Sequence, residues 1–211
     1  MTKYTNQIPK YIICIIILIL LLPSLLWAKS LVRDSSNKNF SLILDSNLVD
    51  CTQASVKYIV WTQDENGVPV LEKILEQTGM PWEKNVLINY WQNRAYEYIA
   101  QMEITGGQEA DMLEKYLNLK SKLKNLKQTK VFMEEIVAAN LDINDFLSRN
   151  NVVNFDRIEA FNTISATGYV EYLNEGINIG GSPVNFQIIT RTNNLNPGRT
   201  IIAFPALWKE F

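Results

Sequence analysis

The sequence predicts an α+β fold: a helical middle region packed with a C-terminal antiparallel β-meander, with one or two N-terminal strands. A hydrophobic export or anchor segment precedes this folded part. Three observations lead to the prediction. Residues 11–28 carry no charge, residues 69–166 show helical spacing of apolar residues, and residues 168–204 hold three short β-type runs separated by turn residues. Helices in one block and antiparallel strands in another are typical of α+β domains.

The apolar segment at residues 11–28 has two competing interpretations. As a signal peptide it has a basic start with Lys3 and Lys10 and a cleavage position after Ala28 or Ser30. As an uncleaved anchor it is just long enough, because a membrane span needs about 17–25 residues. Basic residues flank both ends, so charge does not decide between the two. Residues 1–30 are therefore a signal peptide or a signal anchor.

Residues 31–211 are expected to form a single extracytoplasmic α+β domain. No repeat, low-complexity run or Pro/Gly-rich linker divides them, and their number is ample for one hydrophobic core. Cys51 is the only cysteine outside the apolar segment. An unpaired, buried Cys51 is favoured over a bond to another chain.

The first block, residues 38–62, is expected to hold the N-terminal strands. Residues 40–44 and 56–61 are rich in β-branched and aromatic residues, as strands require. A short helix is the alternative for residues 56–61. Residues 64–67, Asp-Glu-Asn-Gly, predict a turn.

The middle block is expected to be helical throughout. Pro69 and Gly79 bracket a short helix, since proline favours the first turn and glycine the position after the last. Apolar residues from Trp82 to Met102 recur mostly at spacings of three, four and seven, which predicts one helix of about 20 residues. Further helices are predicted at residues 109–127, around Phe132–Val137, at 143–149 and at 156–165.

The final block predicts a β-meander. Its expected strands are residues 169–173, 184–189 and 200–204. The two connections, residues 178–183 and 193–198, are dense in Asn, Gly and Pro. In residues 184–188 apolar and polar side chains alternate, which indicates one buried face.

The chemistry of the chain is limited by the absence of histidine. This removes the usual general base at neutral pH, the serine and cysteine triads and the histidine-containing zinc sites. No nucleophile-elbow, P-loop or dinucleotide-binding motif is present. We therefore expect no catalytic residue, no cofactor and no metal site, and a protein that is not an enzyme.

Carboxylate-only hydrolysis of glycans is the remaining enzymatic alternative. Its candidate pairs are Glu97 with Glu103, and Glu171 with Glu175. With 22 acidic residues in the chain, such pairs arise by chance, and solvated surface charges are the favoured interpretation.

Six lysines without an intervening acidic residue lie between positions 115 and 130. On a helix, Lys120, Lys124 and Lys127 flank an apolar stripe. This geometry is typical of an amphipathic helix in which the aliphatic parts of the lysine side chains lie along the apolar stripe. Packing of this helix against the core is the favoured interpretation. The alternative is contact of these three lysines with an anionic partner: lipid head groups, an acidic protein surface or nucleic acid.

These features predict an exported or membrane-tethered envelope protein that is a structural or assembly subunit of a larger complex. The layout is similar to that of bitopic assembly proteins of secretion, pilus and conjugation machines, without a shared motif. A periplasmic inhibitor or immunity-type binding protein is the alternative. Expected partners are other envelope proteins, and the membrane through residues 11–28 if these are not cleaved. The net charge of −2 argues against nucleic acid, and no small-molecule substrate is indicated.

Overall fold

An antiparallel sheet of eight strands is the main feature of the protein. The computed structural model describes residues 40–88, 94–152, 154–193 and 196–208. Within them, three α-helices and a two-stranded hairpin accompany the sheet. The fold class is therefore α+β, as predicted.

All three α-helices lie in the first two thirds of the described chain, and the strands after the last helix follow one another without a further α-helix. The helices are α1 Val68–Glu76, α2 Glu109–Leu123 and α3 Ile143–Arg149. The strands of the first half are β1 Gln53–Thr62, β2 Glu83–Ile88, β3 Arg94–Thr105 and β4 Thr129–Val137. Those of the second half are β5 Phe155–Ala160, β6 Thr163–Gly168, β7 Ile177–Ile179, β8 Ser182–Val184, β9 Phe186–Asn193 and β10 Asn196–Phe204.

The large sheet has the order β2-β3-β1-β4-β10-β9-β6-β5, and β7 pairs with β8 separately. All neighbouring strands are antiparallel. In the centre, Ile59 of β1 pairs with Ile99 of β3 on one side and with Phe132 of β4 on the other. Strands β2 and β5 form the two edges.

The core lies between the helices and one face of the sheet. Successive side chains of a strand point to opposite faces, and on β1 the helix-side face carries Ala54, Val56, Tyr58 and Val60, all buried in the core. Helix α2 packs on this face, and the Tyr58 hydroxyl donates to the carbonyl of Met112 at 2.8 Å. The apolar stripe of α2, formed by Tyr116, Leu119 and Leu123, is thus buried in the core.

The predicted strand at residues 40–44 is not formed: residues 40–42 have no regular secondary structure, and residues 43–47 form a turn. The backbone of this segment is held by polar side chains from distant elements. Asn150 accepts from the Ser41 N–H at 2.8 Å and donates to the Ser41 carbonyl at 3.2 Å. Glu109 and Glu135 accept from the N–H groups of residues 43–45. Hydrogen bonding to side chains replaces a strand ladder here.

The prediction of a long helix from Trp82 to Met102 is wrong. The segment forms β2 and β3. On β3, every second residue from Tyr96 to Ile104 faces the core, while Glu97 and Ile99 face the other side of the sheet. Both faces of β3 are partly covered, so apolar residues occur on both faces. Taken together, these residues have a spacing that resembles a helical period.

Two further helix predictions are wrong for a related reason. Residues 132–137 lie in β4, a central strand with both faces largely buried, and such strands read as continuous apolar runs. Residues 156–165 form the β5–β6 hairpin, which turns at Phe161, where φ is 52°. The predicted strand at residues 169–173 is instead a turn of 3-10 helix at Glu171–Leu173.

The remaining predictions agree with the structure. Helix α1 carries proline in its first turn, and Gly79 follows it with φ 67°. Helix α3 has the predicted bounds, and α2 ends at Leu123, four residues earlier than predicted. Residues 56–61 lie in β1, which rules out the short-helix alternative, and 200–204 lie in β10. Residues 184–189 are divided between β8 and β9.

The predicted export or anchor segment, residues 1–30, lies outside the described residues. Within the described part of the chain, no helix is long and apolar enough to cross a membrane. Cys51 is half-buried and packs against the core, so the prediction of full burial is corrected. It makes no disulfide within the described residues, and its thiol donates to the Gln53 carbonyl at 3.0 Å.

Candidate functional site

A cleft of about 380 Å³ opens at the C-terminal end of α2. We call it the basic cleft. Three lysines line it: Lys120 and Lys124 from the end of α2, and Lys130 from β4. The same cleft is also lined by Tyr116, Leu123, Asn125, Thr129, Val131, Phe132, Glu175, Gly176, Ile177 and Pro205.

Strand pairing explains why the cleft is open at this place. Strand β4 pairs with β1 from Thr129 to Ile136, but β10 pairs with β4 only from Met133 to Val137. Strand β10 ends at Phe204, and Pro205 follows it. Residues 129–132 of β4 therefore have β1 on one side and no described strand on the other. Their backbone edge faces the cleft.

Lys120 is the most enclosed of the three lysines. Its ammonium group donates a hydrogen bond to the backbone carbonyl of Glu175. Burial lowers the pKa of Lys120, and the nearby Glu175 carboxylate partly opposes this effect. The side chains of Lys124 and Lys130 are exposed. Among the described residues, three cations thus surround one opening that contains one acidic side chain.

The three predicted contact lysines are separated by the structure. Lys120 and Lys124 lie together, between the basic cleft and a neighbouring cleft formed with Tyr169, Leu173 and Asn174. Lys127 is exposed beyond the end of α2 and lines neither opening. The third lysine of the basic cleft is Lys130, because the start of β4 lies beside the end of α2. Helical spacing alone does not predict this position.

A second polar cluster lies on the opposite face of the sheet, and no sequence motif indicates it. The indole N–H of Trp208 donates to Glu97 at 2.6 Å, and its backbone N–H donates to Glu134 at 3.2 Å. The Trp208 ring packs on Phe132 and Trp61, with ring centroids 4.7 and 5.7 Å apart. The segment after β10 therefore folds across the sheet and covers two buried carboxylates.

Of the two predicted glycan-cleaving pairs, Glu97 and Glu103 lie too far apart for the expected catalytic arrangement. Glu97 and Glu103 both lie on β3, and six residues of strand span about 20 Å. Glycosidase carboxylates lie roughly 5–9.5 Å apart. Of the other pair, Glu171 begins the 3-10 turn, whereas Glu175 lines the basic cleft beside Lys120.

Comparison with known proteins yields little similarity. No family model matches the chain, and no curated protein matches it. Among solved structures, a crystal structure of an aldoxime dehydratase in complex with butyraldoxime is similar, with a TM-score of 0.29 and 9% identity. The alignment covers 74% of this chain and 69% of that one.

This similar structure belongs to an enzyme, which stands against the expectation that this chain is not one. We therefore withdraw it. With a TM-score of 0.29, the likeness carries no argument about a reaction, a substrate or a cofactor of this chain.

Proposed function

We propose that this chain is an exported or membrane-tethered envelope protein that acts as a subunit of a larger assembly of the secretion, pilus or conjugation type. Within that assembly, the basic cleft binds an extended acidic segment of a partner protein. The observation that carries the proposal is the meeting of three lysines with an open strand edge at one opening.

The charge of the cleft supports an acidic occupant. The whole chain has a formal charge of −2, yet Lys120, Lys124 and Lys130 line one opening together with a single carboxylate, Glu175. A carboxylate that enters the cleft forms charge-assisted hydrogen bonds, which are stronger than those between neutral groups. Like charges gathered at a concave surface also steer an oppositely charged partner during encounter.

The backbone edge of residues 129–132 supports an extended occupant. An added peptide strand receives main-chain hydrogen bonds from such an edge, while pockets for alternate side chains provide selectivity. The apolar lining of the cleft includes Leu123, Val131 and Ile177. A segment in which acidic and apolar side chains alternate fits this surface best.

The location of the protein is proposed from the sequence of residues 11–28. An uncharged run of this length is either read by the export machinery or held in a bilayer. Both outcomes carry the folded part across a membrane. Partners there are other envelope proteins, which is why a protein segment is favoured as the occupant.

The proposal is tested by comparing two charge-reversed proteins of the full chain. The first carries Lys124→Glu and Lys130→Glu, which reverse two exposed lysines of the basic cleft. The matched control carries Lys122→Glu and Lys127→Glu, which reverse two exposed lysines of the same region that do not line it. Both proteins have the same net charge. Each is purified from detergent-solubilised membranes, and its partners are quantified by mass spectrometry.

We expect the partners of the wild type to be lost from the cleft variant and retained by the control. Fluorescence anisotropy measures binding of a short peptide with alternating glutamate and isoleucine. The wild type and the control should bind this peptide, and the cleft variant should bind it much more weakly. The peptide affinity of the wild type should also fall as salt is raised to physiological strength, where the Debye length is about 8 Å. Equal loss in both variants, or in neither, would contradict the proposal.

A further inference from the structure

The edge strand β5 is exposed along its whole length. It is the last strand in the order of the large sheet, so among the described residues only β6 lies beside it. All six residues of β5 are exposed, with Ile158 69% accessible. In the turn that follows, Phe161 is fully exposed at 108%. Open edges with apolar side chains are ready templates for pairing with another strand.

The sequence of β5 is complementary to itself in one antiparallel register. When Ile158 lies opposite Ile158 of a second copy, Arg157 lies opposite Glu159 and Glu159 opposite Arg157. One step further out, Asp156 faces Ala160. A single two-fold axis through Ile158 thus produces two ion pairs and an isoleucine pair.

The side chains of this register fall on the correct faces. Arg157 and Glu159 lie on one face of β5, where their side chains already form an ion pair of 3.4 Å within the chain. Ile158 lies on the other face. In the paired sheet, the charges of both copies therefore alternate in sign along one face, and the isoleucines meet on the opposite face. Opposite charges and apolar residues directly across strands are stabilising.

The other edge strand, β2, has no such register. In antiparallel registers that align most of β2 with itself, Lys84 faces Val86, Leu87 or Ile88 and not an acidic residue. Self-complementarity is a property of β5 and not a general property of the edges of this sheet.

We propose that β5 is a homodimer interface, in which two copies pair antiparallel through Ile158 and join their sheets. An interface with two-fold symmetry uses the same surface on both copies, as this register requires. A ladder of five residues buries less than the standard interface of about 1,600 Å². The dimer is therefore expected to be concentration-dependent.

Charge reversal tests the register itself. Arg157→Glu places a glutamate opposite Glu159 of the second copy at both symmetric positions, and Glu159→Arg places an arginine opposite Arg157. We expect either single change to raise the dissociation constant of the homodimer about tenfold or more, which corresponds to about 1.4 kcal/mol. The double change Arg157→Glu with Glu159→Arg restores both ion pairs and should restore dimerisation.

A mixture of the two single variants provides the sharpest result. The Arg157→Glu chain and the Glu159→Arg chain are complementary in this register, so they should associate with each other while neither associates with itself. Full chains with two different affinity tags are mixed in detergent, and association is measured by two-tag capture and analytical ultracentrifugation. Glu83→Lys on β2 is the control and should leave dimerisation unchanged.

A wild type that is monomeric at all concentrations would overturn the proposal. The same holds if the single variants dimerise as strongly as the wild type, or if the mixture shows no preference for the heterodimer. Circular dichroism of each variant confirms that the fold is retained. Since the basic cleft is not changed in these variants, its peptide binding should persist, which separates this test from that of the proposed function.

Discussion

Glu109 and Glu135 lie against each other in the core, beneath the turn formed by residues 43–47. Both oxygens of Glu109 accept backbone N–H groups, from Leu44 at 2.6 Å and Asp45 at 2.8 Å. Glu135 accepts from the Ile43 N–H at 3.2 Å through Oε2, while its Oε1 has no donor among the described residues. The oxygen without a donor is the natural position for a proton, which is then directed to Glu109. Burial, and then the neighbouring Glu109, raise the pKa of Glu135 well above its ordinary value of 4.5.

The two glutamates should respond differently to amide substitution. Glu135→Gln keeps the size of the protonated side chain and a donor towards Glu109, so the free energy of unfolding at neutral pH should be unchanged or higher. Glu109→Gln turns an amide N–H₂ group towards a backbone N–H, which leaves a buried donor unpaired and should cost about 1–3 kcal/mol. Urea unfolding followed by circular dichroism distinguishes the two. Equal destabilisation by both changes would contradict the assignment of the proton to Glu135.

The same pair predicts an unusual pH dependence. A raised pKa means that the folded chain binds the proton more tightly than the unfolded chain. The stabilisation from Glu135 is therefore complete below about pH 4.5 and is lost as the pH rises towards the folded pKa. The loss is at most about 1.4 kcal/mol per pH unit. The difference in the free energy of unfolding between Glu135→Gln and the wild type should increase as the pH rises above 4.5. A difference that increases as the pH falls would contradict this prediction.

Trp208 should contribute more stability through its indole N–H than an ordinary surface tryptophan does. Its partner Glu97 is a buried carboxylate, and hydrogen bonds to charged groups contribute about 1.5–3 kcal/mol. Trp208→Phe should lower the free energy of unfolding by that amount. Trp82→Phe is the matched control, because Trp82 donates to the neutral hydroxyl of Thr78 at 2.9 Å, and should cost about 0.5–1.5 kcal/mol. A smaller loss at Trp208 than at Trp82 would contradict the ranking.

The proposed location of the protein is checked by its mature N-terminus. If residues 1–30 are a cleaved signal peptide, the mature chain should begin at Lys29 or Leu31 and should leave membranes at high salt. Intact-mass measurement after expression in a host with an export pathway gives the answer. Retention of Met1 together with extraction only by detergent would identify an anchor instead.

The elements that were predicted correctly are those with local signals. Pro69 and Gly79 mark the ends of α1 by backbone geometry, and the Asp142 side chain caps α3 by accepting from the N–H groups of Asn144 and Asp145. The apolar stripe of α2 is also local, since one helix face carries it. Such signals depend on the few residues around them, so tertiary structure does not change their meaning.

The predictions that failed concern segments in which the sheet determines which side chains are buried. Ile99 and Phe132 lie on the side of the sheet away from the helices, and Phe132 is buried there beside Trp208. A strand with buried residues on both faces has no clear period of two, and a helical period is then easily read into it. Trp208 lies 74 positions from Glu134 and 111 from Glu97. No local pattern indicates such contacts.

The basic cleft was predictable in part. The spacing of Lys120 and Lys124 on one helical flank predicts that they lie together, and both line the cleft. Lys127 shares that flank only if the helix continues through it, but α2 ends at Leu123. The role of Lys130 depends on β4 ending its pairing with β10 at Met133, which is a property of the sheet order and not of any segment.

The most direct measurement of the central claim is site-specific photocrosslinking in intact cells. A photoreactive amino acid replaces one lysine at a time in the full chain, at position 124 or 130 in the cleft and at position 122 or 127 outside it. The account predicts adducts from positions 124 and 130, joined to an acidic segment of an envelope protein, and few or none from 122 and 127. Adducts from 122 and 127 in equal yield, or none from the cleft positions, would contradict it.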